Sequence, residues 1–219
     1  MPAAPVSKAL IVVNVGIYLA QLALGAPLNA NSGAIFEHGV LFGPLVADGD
    51  WWRLVTAAFL HYGPLHLGLN MLVLWWFGPP LEGALGSARF LLLYLVGGLA
   101  GSAGALIWTP DAVTVGASGA IFAMFGAALV LERQGVPVFG GAALTLIAIN
   151  LVITFTLSNV SIGGHLGGLA GGILGMLALS HFGRAPAVYD RTSVVGVLGL
   201  VAVGALSIVL SYWKVRGLA

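Results

Sequence analysis

Among the polar residues within apolar runs of this sequence are His61, His66, Asn70, Ser118 and His165. Ser118 sits in Val115–Gly116–Ala117–Ser118–Gly119–Ala120–Ile121–Phe122, ahead of a helix-forming run that stops at Glu132 and Arg133. A serine hydroxyl becomes a nucleophile when an imidazole takes its proton, and the oxyanion it creates needs hydrogen-bond donors. His165 is the candidate base. His66 and Asn70 are four residues apart, so they share one helical face a turn from each other. With the Ser118 backbone N–H near a helix N-terminus, they are donors suited to an oxyanion. Removing one such donor typically costs about 2.7–4 kcal/mol of transition-state stabilisation.

Each residue also has a plainer use. Serines in membrane helices commonly bond a carbonyl one turn earlier. Histidines near helix ends are often interfacial, which is the reading taken for His38 and His181. Three histidines could in principle hold zinc, but His-Glu-x-x-His is absent and no carboxylate lies near them in the spans. No metal and no cofactor are therefore expected. Gly116–Ala117–Ser118–Gly119–Ala120 lacks the last glycine of a G-x-S-x-G elbow, and no strand precedes it, which excludes an α/β-hydrolase. The chain has no Cys, so a thiolate nucleophile, a disulfide and a Cys-ligated metal are out. No Asp within a span is available to orient His165. A third triad member is thus not visible, and a Ser118–His165 dyad is the simplest hydrolytic reading.

The elements that must position these groups are membrane helices. Hydrophobic residues make up 59% of the 219 and charged residues 7%, against about 25% charge in soluble domains; mean hydropathy is +1.05. The net charge of +1 speaks against a nucleic-acid partner. Apolar runs predict seven spans, near 8–25, 54–78, 89–108, 117–132, 138–158, 162–182 and 193–212, each close to the ~20 residues a bilayer requires. The first is read as an uncleaved span and not a signal peptide. No linker divides them, so residues 1–219 read as one domain. The positive-inside bias puts Lys8, Arg89, Arg133, Arg184 and Arg191 on the inner face with the N-terminus. It leaves Lys214 and Arg216 outside, against the rule.

Two spans look irregular. Gly63–Pro64 interrupts the second run, and proline is comfortable only in a first helical turn. The regular helix should start near Gly63, with Trp52–Tyr62 lying along the interface. The fourth, from Ser118 to Arg133, spans only about 22 Å at ~1.5 Å per residue, against a hydrocarbon core of about 30 Å. Ser118 should therefore start its helix below the outer surface, reached by backbone that only protein or a water-filled cavity can shelter. The second, fourth and sixth helices run inward from outside, so all the polar residues fall in their outer halves, around a cavity opening outward. Gly163, Gly167 and Gly171 form one small-residue row and Gly164, Gly168 and Gly172 another, matching Gly119, Ala123 and Ala127 on the fourth helix. Such rows allow close helix approach, which would bring Ser118 to His165.

Taken together, the residues resemble the rhomboid family of intramembrane serine proteases. The matching pieces are Trp52–Arg53; His61, His66 and Asn70 in H-x4-H-x3-N spacing; Glu82 with Gly86; Gly116–Ala117–Ser118–Gly119; and His165 with Gly168 and Gly172. They occur in the family's order over about 52–172. The resemblance implies an all-α polytopic fold with a six-helix core, about 8–182, and one added C-terminal helix, about 193–212. It implies Ser118 as nucleophile, His165 as general base and acid, and an oxyanion hole from His66, Asn70 and the Ser118 amide. His61 would be structural or substrate-side, and Glu82 would brace the inner helix ends. Phe122, one turn below Ser118, can pack against the His165 ring; well-known members carry Tyr there.

The resemblance further implies substrates that are membrane proteins cut in or near a transmembrane segment. Helix-weakening residues would help such a segment unwind into the cavity. The loop Leu157–Gly163 suits a mobile cap over the mouth, and its Asn159–Val160–Ser161 sequon is read as unused. Partners are thus transmembrane substrates and the lipid bilayer, with no nucleic acid. The expected location is a bacterial plasma membrane, with the N-terminus cytoplasmic and the site opening to the outer face. The main rival is a non-proteolytic relative that binds and escorts membrane proteins. A transporter or channel has little support, because no polar path leads to the inner face.

Overall fold

The structure is a computed structural model that describes residues 4–28, 32–157, 160–180 and 194–218. The expectations placed on Ser158, Asn159, His181, Arg184 and Arg191 fall outside these residues. The chain is all-α. The described helices are α1 (Pro5–Ala23), α2 (Ala34–Gly39), α3 (Gly43–Ala47), α4 (Arg53–Thr56), a 3-10 turn (Ala57–Phe59), α5 (Gly63–Leu85), α6 (Ser87–Trp108), α7 (Ser118–Arg133), α8 (Ala143–Thr156), α9 (Ile162–Leu179) and α10 (Val194–Val215). Among the described residues α1, α6, α9 and α10 are long and apolar enough to cross a bilayer, and the bent pair Arg53–Phe59 with Gly63–Leu85 makes a fifth. The chain is a polytopic membrane protein.

Local sequence accounts for most boundaries. Pro5 opens α1 and Pro64 opens α5, where the missing N–H costs nothing. The segment before Gly63 turns by 92° into α5, as Gly63–Pro64 predicts. The far end of α5 differs from the expected stop near 78. The helix runs through Pro79 and Pro80 to Leu85, with Pro79 and Leu81 buried in the bundle. It ends where Gly86 adopts φ 80°, a left-handed conformation open to glycine.

The start of α8 also moves, from the expected 138 to Ala143. The cause is Glu132, whose carboxylate accepts the backbone N–H groups of Phe139 (3.1 Å), Gly141 (3.1 Å) and Ala143 (3.1 Å). This carboxylate holds the connection in a non-helical turn, with Gly140 and Gly141 at positive φ, and caps the first free amide of α8.

Helix α7 is the centre of the bundle. Ala123, Met124, Phe125, Ala127 and Ala128 are fully buried. Its 16 residues, about 24 Å at ~1.5 Å per residue, are too short to cross alone, so surrounding protein shelters its end. Helix α9 wedges between α7 and α6 with a different glycine row on each side. A Cβ on Gly168 would reach 3.0 Å from Gly119 Cα, and one on Gly172 would strike the Ala123 backbone. On the other face, a Cβ on Gly167 would lie 2.9 Å from Gly104 Cα, and Gly163 meets Gly104 likewise. Close backbone approach of this kind is what small residues allow where lipid removes the hydrophobic drive between helices.

The added helix α10 leans on α6 and α9, with Leu200 buried against Gly175 and Gly204 against Val96. Its last residue, Val215, is buried in one cluster with Leu41, Val46, Leu54 and Leu106. Lys214 and Arg216 thus lie at the same end of the bundle as the loop 41–54.

Candidate active site

Ser118 opens α7 and is half-buried. Three backbone links hold the segment leading to it. Gly43 N–H donates to Pro110 O (2.8 Å), Leu41 and Thr114 exchange an antiparallel pair (3.1 and 2.9 Å), and Gly116 N–H donates to Ala57 O (2.9 Å). Gly116 turns at φ 125°, which lets the chain enter the helix at depth. Ser118 N–H, in the first turn, has no carbonyl partner among the described residues and points free, as first-turn amides do. A small open crevice lies beside it, lined by Ser102, Val115, Gly116, Ser118, Ser161 and Gly164.

His165 lies in the first turn of α9, buried. Ser161 caps that helix by accepting Gly164 N–H at 3.1 Å. The imidazole stacks on Phe122, with centroids 4.0 Å apart and planes at 19°. A Cβ on Gly119 would lie 3.5 Å from Gly164 O, so the backbones that carry Ser118 and His165 touch. His165 Nδ1 lies 2.6 Å from Thr154 Oγ1 on α8. Neither the Ser118 hydroxyl nor His165 Nε2 has a hydrogen bond among the described residues.

His66 lies beside the turn that leads into Ser118. Its Nδ1 accepts Tyr62 N–H at 3.2 Å, so in the neutral ring Nε2 carries the hydrogen. A Cβ on Gly116 would lie 2.8 Å from both Cε1 and Nε2 of His66, which puts this N–H edge against the turn before Ser118. Asn70 is buried and spends one amide hydrogen on His66 O (2.8 Å). His61 is buried edge-on to His66, centroids 5.0 Å apart, and its Nε2 accepts Ala117 N–H at 3.5 Å. His61 thus touches the backbone one residue before Ser118, while its Nδ1 has no partner among the described residues. Among the described residues no three His, Asp or Glu side chains gather as a cation site.

The remaining sequence-predicted residues lie elsewhere. Arg53 is buried and donates to Asp50 Oδ2 (2.7 and 2.9 Å), Glu37 O (2.7 Å) and Val40 O (3.0 Å). Trp52 is half-exposed and donates to His38 O (2.9 Å). These two organise the loop that holds Leu41 against Thr114. Glu82 lies at the far end of the bundle. It accepts from Val6 N (3.0 Å), Ser7 N (2.8 Å), Ser7 Oγ (2.8 Å) and Ser87 Oγ (2.6 Å). It ties the starts of α1 and α6 to the end of α5. Sequence reasoning missed Thr154. Its signal was a β-branched polar residue on the inner stripe Ala143, Ile147, Thr154 of α8.

The Rhomboid domain family model matches residues 48–182. Among curated proteins, the chain is 39% identical over 155 residues to rhomboid protease GluP of Bacillus subtilis, covering 69% of this chain and 30% of that protein. It is 42% identical over 134 residues to the putative rhomboid protease YdcA of Bacillus subtilis, covering 59% of this chain and 67% of the relative. It is 35% identical over 164 residues to RHOMBOID-like protein 7 of Arabidopsis thaliana, covering 70% and 51%. The chain thus spans less than a third of GluP and about half of the plant relative.

Proposed function

The chain belongs to the rhomboid family, and from that premise we propose that it is an intramembrane serine endopeptidase acting through Ser118 and His165. Ser118 Oγ attacks a peptide carbonyl carbon as His165 Nε2 takes the hydroxyl proton. The carbonyl π pair moves to oxygen, and His66 Nε2–H, Asn70 Nδ2–H and Ser118 N–H stabilise that charge. The C–N bond then breaks as His165 returns the proton to the departing amine, leaving an ester on Ser118. Water, deprotonated by the same imidazole, hydrolyses the ester. The observation that carries the reading is the juxtaposition of α7 and α9 at their first turns, where Phe122 stacks on His165 one turn from Ser118. The Nε2–H of His66 beside Gly116 supports the oxyanion role. Among the described residues no intramolecular bond occupies Ser118 Oγ, and catalytic hydrogen bonds often close only with substrate present.

The substrates of this reading are membrane proteins with a transmembrane segment that unwinds into the crevice beside Ser118. An intact helix hides its carbonyls in internal bonds, so segments with Gly or other helix-weakening residues are preferred. In the proposed orientation the site end faces outward from a bacterial plasma membrane and the N-terminus is cytoplasmic. Lys8, Arg89 and Arg133 support it. They sit at the start of α1, the start of α6 and the end of α7, the end opposite Ser118 and the side expected of cytoplasmic cations.

The test is cleavage of a transmembrane substrate in proteoliposomes by wild type, Ser118→Ala and His165→Ala. Wild type should cleave and neither variant should. Cleavage at the wild-type rate by either variant refutes the dyad. A folded protein whose Ser118 resists a fluorophosphonate would instead favour a non-proteolytic escort.

A further inference from the structure

Thr154 makes two short contacts through a single oxygen. Its Oγ1 is 2.6 Å from Asn150 O, one turn back on α8, and 2.6 Å from His165 Nδ1 on α9. The first bond is a common habit of threonine in helices; the second is not explained by that habit. A hydroxyl owns one proton. A carbonyl oxygen can only accept, so at 2.6 Å the proton must point at Asn150 O. Toward His165 the hydroxyl then offers only a lone pair. Nδ1 must supply the hydrogen of that bond, and a neutral imidazole has only one. Nε2 is therefore bare.

The setting favours a dedicated contact. Thr154 is 1% exposed, while its neighbours Val152, Ile153 and Phe155 are exposed to the apolar surroundings. An Nδ1–H buried at this depth without an acceptor would be costly. Phe122 covers one face of the ring and holds its plane, but it cannot choose between the ring nitrogens.

We infer that Thr154 is a positioning residue that holds His165 as its Nδ1–H tautomer, leaving Nε2 free to take the Ser118 proton. This rests on the proposed Ser118–His165 chemistry. Thr154 occupies the place that a carboxylate fills in a Ser–His–Asp triad, without a charge to desolvate. When Nε2 takes the serine proton, the imidazolium keeps its Nδ1–H on Thr154 and passes the Nε2 proton to the leaving amine. The Thr154 proton stays on Asn150 O throughout.

Two measurements test this. Nitrogen-15 histidine spectra of the wild type in detergent, with His165 assigned by comparison with His165→Ala, should show Nδ1 protonated and Nε2 bare. Thr154→Val should move that signal toward the Nε2–H form, and Thr154→Ser should restore it. On a transmembrane substrate, Thr154→Val should lower kcat by about tenfold or more, part of the 10²–10⁴ that general-base catalysis supplies. KM should hold, and Thr154→Ser should recover wild-type kcat. An Nε2–H signal in the wild type overturns the inference without any variant or activity. So does a Thr154→Val enzyme with wild-type kcat while Ser118→Ala is inactive. A wild type that does not cleave, or an active Ser118→Ala, refutes instead the proteolytic reading, and the spectra still decide the tautomer.

Discussion

Replacing Gly116 with alanine should disable the enzyme through an atom that touches no substrate. Gly116 sits at φ 125°, where an alanine stores about 1–3 kcal/mol of backbone strain. The new Cβ would also lie 2.8 Å from Cε1 and Nε2 of His66. The ring would have to retreat about 0.7 Å to reach the ~3.5 Å at which non-bonded atoms sit comfortably. His66 has little room to do so without turning its N–H edge, because Tyr62 N–H holds Nδ1 and His61 abuts the ring. Loss of a whole oxyanion donor costs about 2.7–4 kcal/mol. A displaced donor should forfeit roughly half of that, a fall in kcat of about tenfold to thirtyfold. The assay is kcat and KM in proteoliposomes beside thermal unfolding, for Gly116→Ala, His66→Ala and the double variant. With His66 truncated the Cβ has nothing to strike. Adding Gly116→Ala to His66→Ala should therefore cost within about threefold in kcat, the scatter of independent sites. Equal losses in both backgrounds, or a folded Gly116→Ala enzyme with wild-type kcat, would refute the placement of His66.

Two further perturbations probe the frame. Gly168→Ala drives a Cβ into the Gly119 backbone, and such overpacking costs about 1–3 kcal/mol; the melting temperature in detergent should drop by several degrees, and an unchanged value would contradict the packing of α9 on α7. Phe122→Ala removes the ring beneath His165, a contact worth about 0.5–1.5 kcal/mol beyond its buried area. Its kcat should fall severalfold while Phe122→Tyr keeps the wild-type value, since the ring face is what His165 uses; a gain in kcat for Phe122→Tyr would contradict this.

The candidate site was legible because its histidines and Ser118 stand within strongly apolar runs, flanked by glycines. Ser118 and His165 stood out against apolar runs, and Arg133 anchored a helix too short to hide its start. Gly63–Pro64 marked the bend before α5 for a local reason, the missing proline N–H. What escaped the sequence was set through space. The start of α8 depends on Glu132, several residues earlier, reaching over the turn to gather three amides. The extension of α5 past Pro79 depends on burial of that segment in the bundle. The glycine rows of α9 were visible, but their second partner, Gly104 with Ala100 on α6, was not paired with them. Thr154 looked like any β-branched residue of an apolar helix, because an ordinary backbone-bonded threonine has the same local pattern.

The wedge of α9 between α6 and α7 also bears on how the protein is made. Chains emerge from the N-terminus onward, so α6 and α7 exist before α9 does. Ser118 is then in a membrane without the imidazole proposed as its base, which stacks on Phe122 only once α9 is in place. His165 arrives only when glycines on both faces of α9 seat against Gly104 and Gly119 together. The proposed pair is therefore a product of the docking of α9 and not of any one helix. On the proposed dyad chemistry, a nascent chain in which α9 has not yet docked stays chemically silent toward its membrane neighbours.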